Sequence, residues 1–199
     1  MTTRIISVIA GALAACATIY YLSSNVAYAS SQATRKLQAP SNMPPIDDLV
    51  VTLSRGKTSD PPTVHVEIQN KNTATPLTLL IWDTPLDPSA LNTGVLSIRD
   101  ASSGETIPGP ELKLNRRLPP PREALVTIAP GDVVEKEVEL VAPWIPRDGR
   151  SVTVKAEGSW RAVWPKREQD VDDEKLAAMS GGGVMAGPFK SLADAQIEL

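Results

Sequence analysis

The chain has 199 residues, 42% of them hydrophobic, which is enough for one ordinary domain with a real core and too many for a disordered segment. Twenty basic residues against 23 acidic ones leave a net charge of −3 with the signs interspersed, so nothing electrostatic favours nucleic acid as a partner. Eighteen prolines against one phenylalanine argue against long helices and for many turns and sheet edges.

The N-terminus has the pattern of a targeting segment over residues 1–29. Arg4 gives a short positive region, and residues 5–22 form an uncharged, mostly apolar run expected to be helical. Ala27-Tyr28-Ala29 has the small-x-small spacing of signal peptidase sites, so cleavage is expected after Ala29, giving a secreted chain. The alternative is a single-pass signal anchor, because a bilayer span needs about 20 apolar residues. Membrane association is expected only if this segment is retained. Leu13-Ala14-Ala15-Cys16 has lipobox spacing, but residues 17–22 stay largely apolar where a lipidated cysteine is followed by a polar tether. Cys16 is the single cysteine, so a cleaved chain has no disulfide and no thiol nucleophile. No Asn-x-Ser/Thr sequon occurs.

Residues 30–47 are rich in Pro, Ser, Asn and Gln and form a leader without periodicity. A strand is predicted over 48–54, with Leu49, Val51 and Leu53 facing inward, followed by a polar turn over 55–62. Residues 63–70 alternate most cleanly: Val64, Val66 and Ile68 on one side, Thr63, His65, Glu67 and Gln69 on the other. Residues 77–82 are apolar on both faces and suit a central strand. A proline-containing loop precedes a strand at 95–99. The prolines of residues 105–121 confine that stretch to an edge or a loop.

The stretch 123–140 reads as a hairpin. Ala124, Val126 and Ile128 alternate before Ala129-Pro130-Gly131-Asp132, which has turn chemistry, and Val134, Val138 and Leu140 then oppose Glu135, Glu137 and Glu139. Residues 142–150 connect around Trp144. A further strand starts at 151, with Val152, Val154 and Ala156 inward, and can continue to Trp164. The charged run 166–178 suits a short helix or a disordered insert, and a last strand is expected near residues 196–199. The predicted architecture is an all-β, immunoglobulin-like antiparallel sandwich of about seven to eight strands over residues 48–164, with 165–199 as a polar insert and tail.

No catalytic constellation is legible. His65 is the single histidine and lies on an outward strand face, whereas a usual zinc site wants several His or Cys ligands and a Ser-His-Asp triad needs its His beside a nucleophile. There is no His-Glu-x-x-His, phosphate-binding Gly loop or Gly-x-Ser-x-Gly. No cofactor is expected. Asp172-Asp173-Glu174 reads as a solvated face. Trp144, Trp160 and Trp164 have two readings: packing at a sandwich end, or an exposed aromatic patch for a partner. Lys166 and Arg167 form a dibasic candidate for processing, as do Arg116 and Arg117.

The run from Leu49 to Gly158 resembles the propeptide domain of deuterolysin-type fungal zinc metalloproteases. The likeness is carried by Leu49-Val50-Val51-Thr52-Leu53; Val64-x-Val66-x-Ile68-x-Asn70; Leu77-x-Leu79-Leu80; and Thr84-Pro85-Leu86-Asp87. It continues through Val95-x-Ser97-Ile98, Ala129-Pro130-Gly131-Asp132 and Val152-x-Val154-x-Ala156-x-Gly158. The zinc-binding helix of the protease is missing, so proteolysis does not carry over. The resemblance implies a non-enzymatic partner of a secreted protease, a chaperone or inhibitor acting in trans.

Overall fold

A computed structural model describes residues 44–199; Ala27, Ala29 and most of the leader lie outside the described residues. Nine strands follow in order: β1 (Leu49–Ser59), β2 (Pro62–Asn70), β3 (Leu77–Leu80), β4 (Leu96–Asp100), β5 (Leu125–Ile128), β6 (Val133–Glu139), β7 (Ser151–Trp164), β8 (Met185–Lys190) and β9 (Ala195–Glu198). The single α-helix among them, α1 (Asp173–Ala178), is six residues long. The strands make two antiparallel sheets: a three-stranded one in the order β1-β2-β6, and a six-stranded one in which β4, β3, β8 and β9 all pair with β7, and β5 pairs with β3.

The alternating residues close the core between these sheets. Leu49, Val51, Leu53, Val64, Val66 and Ile68 from the smaller sheet meet Ile98, Val152, Val154 and Ala156 from the larger, and all are buried. This facing of two apolar strand faces is what gives a sandwich its stability. β3 is buried on every residue because it lies between β5 and β7. β1 runs further than its expected end. The predicted polar turn at 55–62 is mostly strand to Ser59, since Thr58 and Thr63 tie the hairpin tip together through their hydroxyls.

The predicted hairpin at 123–140 is corrected. β5 pairs with β3 in one sheet and β6 pairs with β2 in the other, so Ala129-Pro130-Gly131-Asp132 is a crossing between sheets. The turn chemistry is present, and Gly131 takes φ 78°, but the turn's amide is claimed by another strand. The Gly131 N–H donates to the carbonyl of Asn70 at the end of β2, at 3.0 Å.

The boundary predicted at residue 164 is also corrected. β8 pairs along residues 157–163 of β7 and β9 along residues 151–154, so the chain end completes the larger sheet. The charged run before it folds over that sheet's outer face. Val171 and Leu176 are buried there against Leu80, Trp82, Leu125, Ala162 and Trp164, in a second apolar cluster.

Strand β7 serves both clusters because of a bulge. Trp160 pairs with Gly187 and Val163 with Met185, three steps on β7 against two on β8. One extra residue reverses which face the following side chains occupy. Trp160 and Val163 therefore enter the core between the sheets, while Ala162 and Trp164 enter the outer cluster.

Candidate functional site

A cleft of about 800 Å³ lies between the start of β1 and the corner joining β8 to β9. Leu49, Val50, Trp160 and Phe189 supply its apolar surface, Lys155 part of its polar rim, and Leu192 a lip that is 75% exposed. Trp160 and Phe189 pack with ring centroids 4.5 Å apart and planes inclined at 39°, a tilted aromatic pair. Gly158 makes this possible. A Cβ there would lie 2.8 Å from Phe189 Cζ, so the ring closes over bare backbone.

Backbone stitching holds the corner. The Ser191 N–H donates to Ala156 O at 2.8 Å, and the Ala156 N–H donates back to Ser191 Oγ at 3.2 Å. Leu192 N–H donates to Val51 O at 2.8 Å, and Leu53 N–H to Ala193 O at 3.2 Å. The corner thus covers the outer edge of β1, the edge that would otherwise invite pairing with another chain. Leu192 is presented at the surface because its neighbours on both sides are committed to these bonds.

The rim is charged but paired. Lys155 Nζ donates to Glu157 Oε2 at 2.6 Å and holds that carboxyl below its ordinary value. Ser191 Oγ donates to Asp194 Oδ1 at 2.8 Å while accepting from Ala156, so the hydroxyl has structural work on both sides. A serine nucleophile needs a base to take its proton, and the chain's one histidine, His65, is not among the residues lining this cleft. The arrangement can recognise an apolar side chain flanked by polar groups.

The three tryptophans named from sequence do not form a surface patch. Trp160 is 1% exposed in the main core and Trp164 is fully buried in the outer cluster, on opposite faces of β7. A regular strand would put residues four apart on one face; the bulge separates them. Trp144 is half-buried against the main core, and its ring lies over Gly109, where a Cβ would come within 2.9 Å. Packing, not display, is the role the structure gives all three.

The Lys166-Arg167 pair is less open than its charge suggested. Lys166 O accepts from Thr78 Oγ1 at 2.7 Å, Lys166 N–H donates to Trp164 O at 2.9 Å, and the Glu168 N–H donates to Thr127 Oγ1 at 3.0 Å. Arg116 of the other dibasic pair is bound to the buried carboxylate of Asp87 and stands over Trp82, 5.6 Å from the ring centroid. Asp172 and Asp173 are spread among Lys166, Lys175 and Arg122.

Sequence reasoning missed the residues that matter most to the cleft. Phe189, Ser191 and Leu192 fall in the stretch assigned to a tail, where Gly187-Pro188 obscured the alternation of Met185 and Phe189. Among the described residues no helix is long and apolar enough to cross a membrane.

Comparison with known proteins agrees with the architecture. The chain is 36% identical over 138 residues to an uncharacterized secreted protein of Arthroderma benhamiae, a match that covers 68% of each. A family model for an immunoglobulin-like domain matches residues 48–199, which takes in β8 and β9 as well as the strands before them. The chain belongs to the immunoglobulin-like domain family.

Proposed function

We propose that this chain is a secreted, non-catalytic binding module whose partner is a secreted zinc protease of deuterolysin type. It acts on that protease in trans, as a folding chaperone or an inhibitor. The observation that carries the reading is the cleft: it offers an apolar floor, the exposed Leu192 lip and a paired polar rim. Such a surface suits an apolar anchor residue of a partner. Secretion is supported by the segment ending at Ala29 and by the secreted relative. The class of partner rests on the propeptide-like order of strands from Leu49 to Gly158.

The test is to add the purified protein to a panel of deuterolysin-type proteases, measuring peptidase activity and the yield of refolded enzyme. A change with at least one member, lost in Leu192→Asp, is expected. Unchanged activity and refolding across the panel would overturn the reading. A tethered role at the cell surface is the second reading, favoured by the length of the apolar run 5–22. It requires the protein in membranes with its N-terminus uncut.

A further inference from the structure

The outer face of the three-stranded sheet carries a separate constellation. Strand register sets His65 opposite Glu137, and Glu67 opposite Glu135, across the β2–β6 ladder. Residues two apart on a strand share a face, so these four side chains form a two-by-two grid on strands about 4.8 Å apart. Like charges placed directly opposite one another destabilise a sheet. Glu67 and Glu135 are so placed, and among the described residues neither forms an ion pair with a Lys or Arg. A cation between them turns the repulsion into attraction.

His65 is oriented for that task. Its Nδ1 meets Glu137 Oε1 at 2.8 Å. A proton on Nδ1 directed at this carboxylate leaves the lone pair of the neutral ring on Nε2. Nε2 is 3.5 Å from Glu67 Oε1. One ring nitrogen of His65 and one oxygen each of Glu67 and Glu135 lie within 4.8 Å of one another. Ligands around a tetrahedral zinc at its usual bond lengths are about 3.3 Å apart, so small side-chain rotations suffice.

Glu137 is fixed in turn. It accepts from the Lys57 N–H at 3.3 Å, and its Oε2 passes over Gly56, where a Cβ would stand 2.4 Å away. A carboxylate behind a metal-binding histidine sets the ring's tautomer and orientation. We propose that His65, Glu67 and Glu135 bind one divalent transition metal ion, such as zinc, with Glu137 as the positioning residue behind His65. Three protein ligands leave a coordination position for water or for a group from a partner.

The experiment titrates Zn²⁺ alone into the full, tag-free chain by calorimetry, with the His65 ring followed by NMR. One Zn²⁺ per chain is expected, with the ring resonances of His65 shifting as it binds. Glu135→Gln and Glu67→Gln should each weaken binding at least tenfold. Glu137→Gln should weaken it by about 10–100-fold while the stoichiometry stays at one. His65→Ala should abolish the site; if that variant does not fold, the two surface glutamate variants decide. Two results overturn the proposal: no uptake by the natural chain at about 1 mM Zn²⁺, the limit of weak binding, or equal affinity in a folded Glu135→Gln variant.

Discussion

The side-chain amide of Asn70 donates to the carbonyl of Ile128 at 3.1 Å, joining the last residue of β2 to the last residue of β5 in the other sheet. The same amide reaches Thr75 O at 2.9 Å and Ala129 O at 3.2 Å, while its Oδ1 accepts from the Asn72 N–H at 3.0 Å. Asn70 is fully buried and so is Ile128, whose carbonyl would lose this partner without gaining water. Asn70→Ala is expected to cost about 3 kcal/mol, since the buried Ile128 carbonyl is left unpaired and the three other side-chain hydrogen bonds go with it. Asn70→Asp should be nearly as damaging, because an ionised carboxylate has no hydrogen to donate to these carbonyls. Urea denaturation of both variants checks this; midpoints equal to the natural chain's would show that the sheets do not depend on the staple.

Trp160 and Trp144 separate core packing from peripheral packing. Trp160 is 1% exposed and stacks on Phe189, whereas Trp144 is half-buried over Gly109. Trp160→Ala should cost about 4 kcal/mol, and Trp144→Ala clearly less because part of its site stays open to solvent. Thermal unfolding of the pair gives the order. A larger loss for Trp144→Ala would mean that the connection at 142–150 carries more of the core than its burial indicates.

The period-two strands were legible where both their faces were unambiguous. Val64, Val66 and Ile68, like Val152, Val154 and Ala156, alternate because one face meets the opposite sheet and the other meets water or a neighbouring loop. What alternation cannot report is which strand lies alongside. The segment 123–140 has the period and the turn of a hairpin, yet Asn70 captures its turn and sends β6 to another sheet. Nor does the period survive an inserted residue: Trp160 and Trp164 would share a face of a regular strand, and the bulge puts them on opposite ones. The run at 166–178 holds the expected short helix, but its charge hid that its two large apolar residues, Val171 and Leu176, are both buried. The cleft was illegible because half of it lies in strands that Gly187, Pro188 and the polar residues around them disguised.

Asp87 makes stability depend on acid pH. Burial pushes its carboxyl up, but the N–H donors of Ser89 and Asp83, with Arg116 alongside, outweigh that and hold it below the ordinary carboxylate value. A folded-state pKa below the unfolded one means that the unfolded chain binds more protons between the two. This contribution is therefore complete above about pH 4. It is lost as pH falls through the folded-state pKa. Asp87→Asn should lower stability at neutral pH and flatten the decline between neutral and acid conditions. Equally steep declines in both proteins would place the acid sensitivity elsewhere.

Processing at Lys166-Arg167 requires an extended strand of substrate in the protease, and this dipeptide is tied on both sides. Thr78 and Trp164 hold Lys166 through its backbone, and Thr127 holds Glu168 just beyond the bond to Arg167. Val171 and Leu176 then anchor the following segment in the outer cluster, so releasing the dipeptide exposes apolar surface as well. The folded protein should resist a dibasic-specific protease at this bond. Val171→Asp combined with Leu176→Asp should make it susceptible, because the anchor goes while the cleavage sequence stays intact. Limited proteolysis with mass measurement of the fragments decides between the two states. Rapid cutting of the natural chain after Arg167 would show that the hydrogen bonds to Thr78 and Thr127 break too readily to protect it, and would make the last two strands a releasable segment.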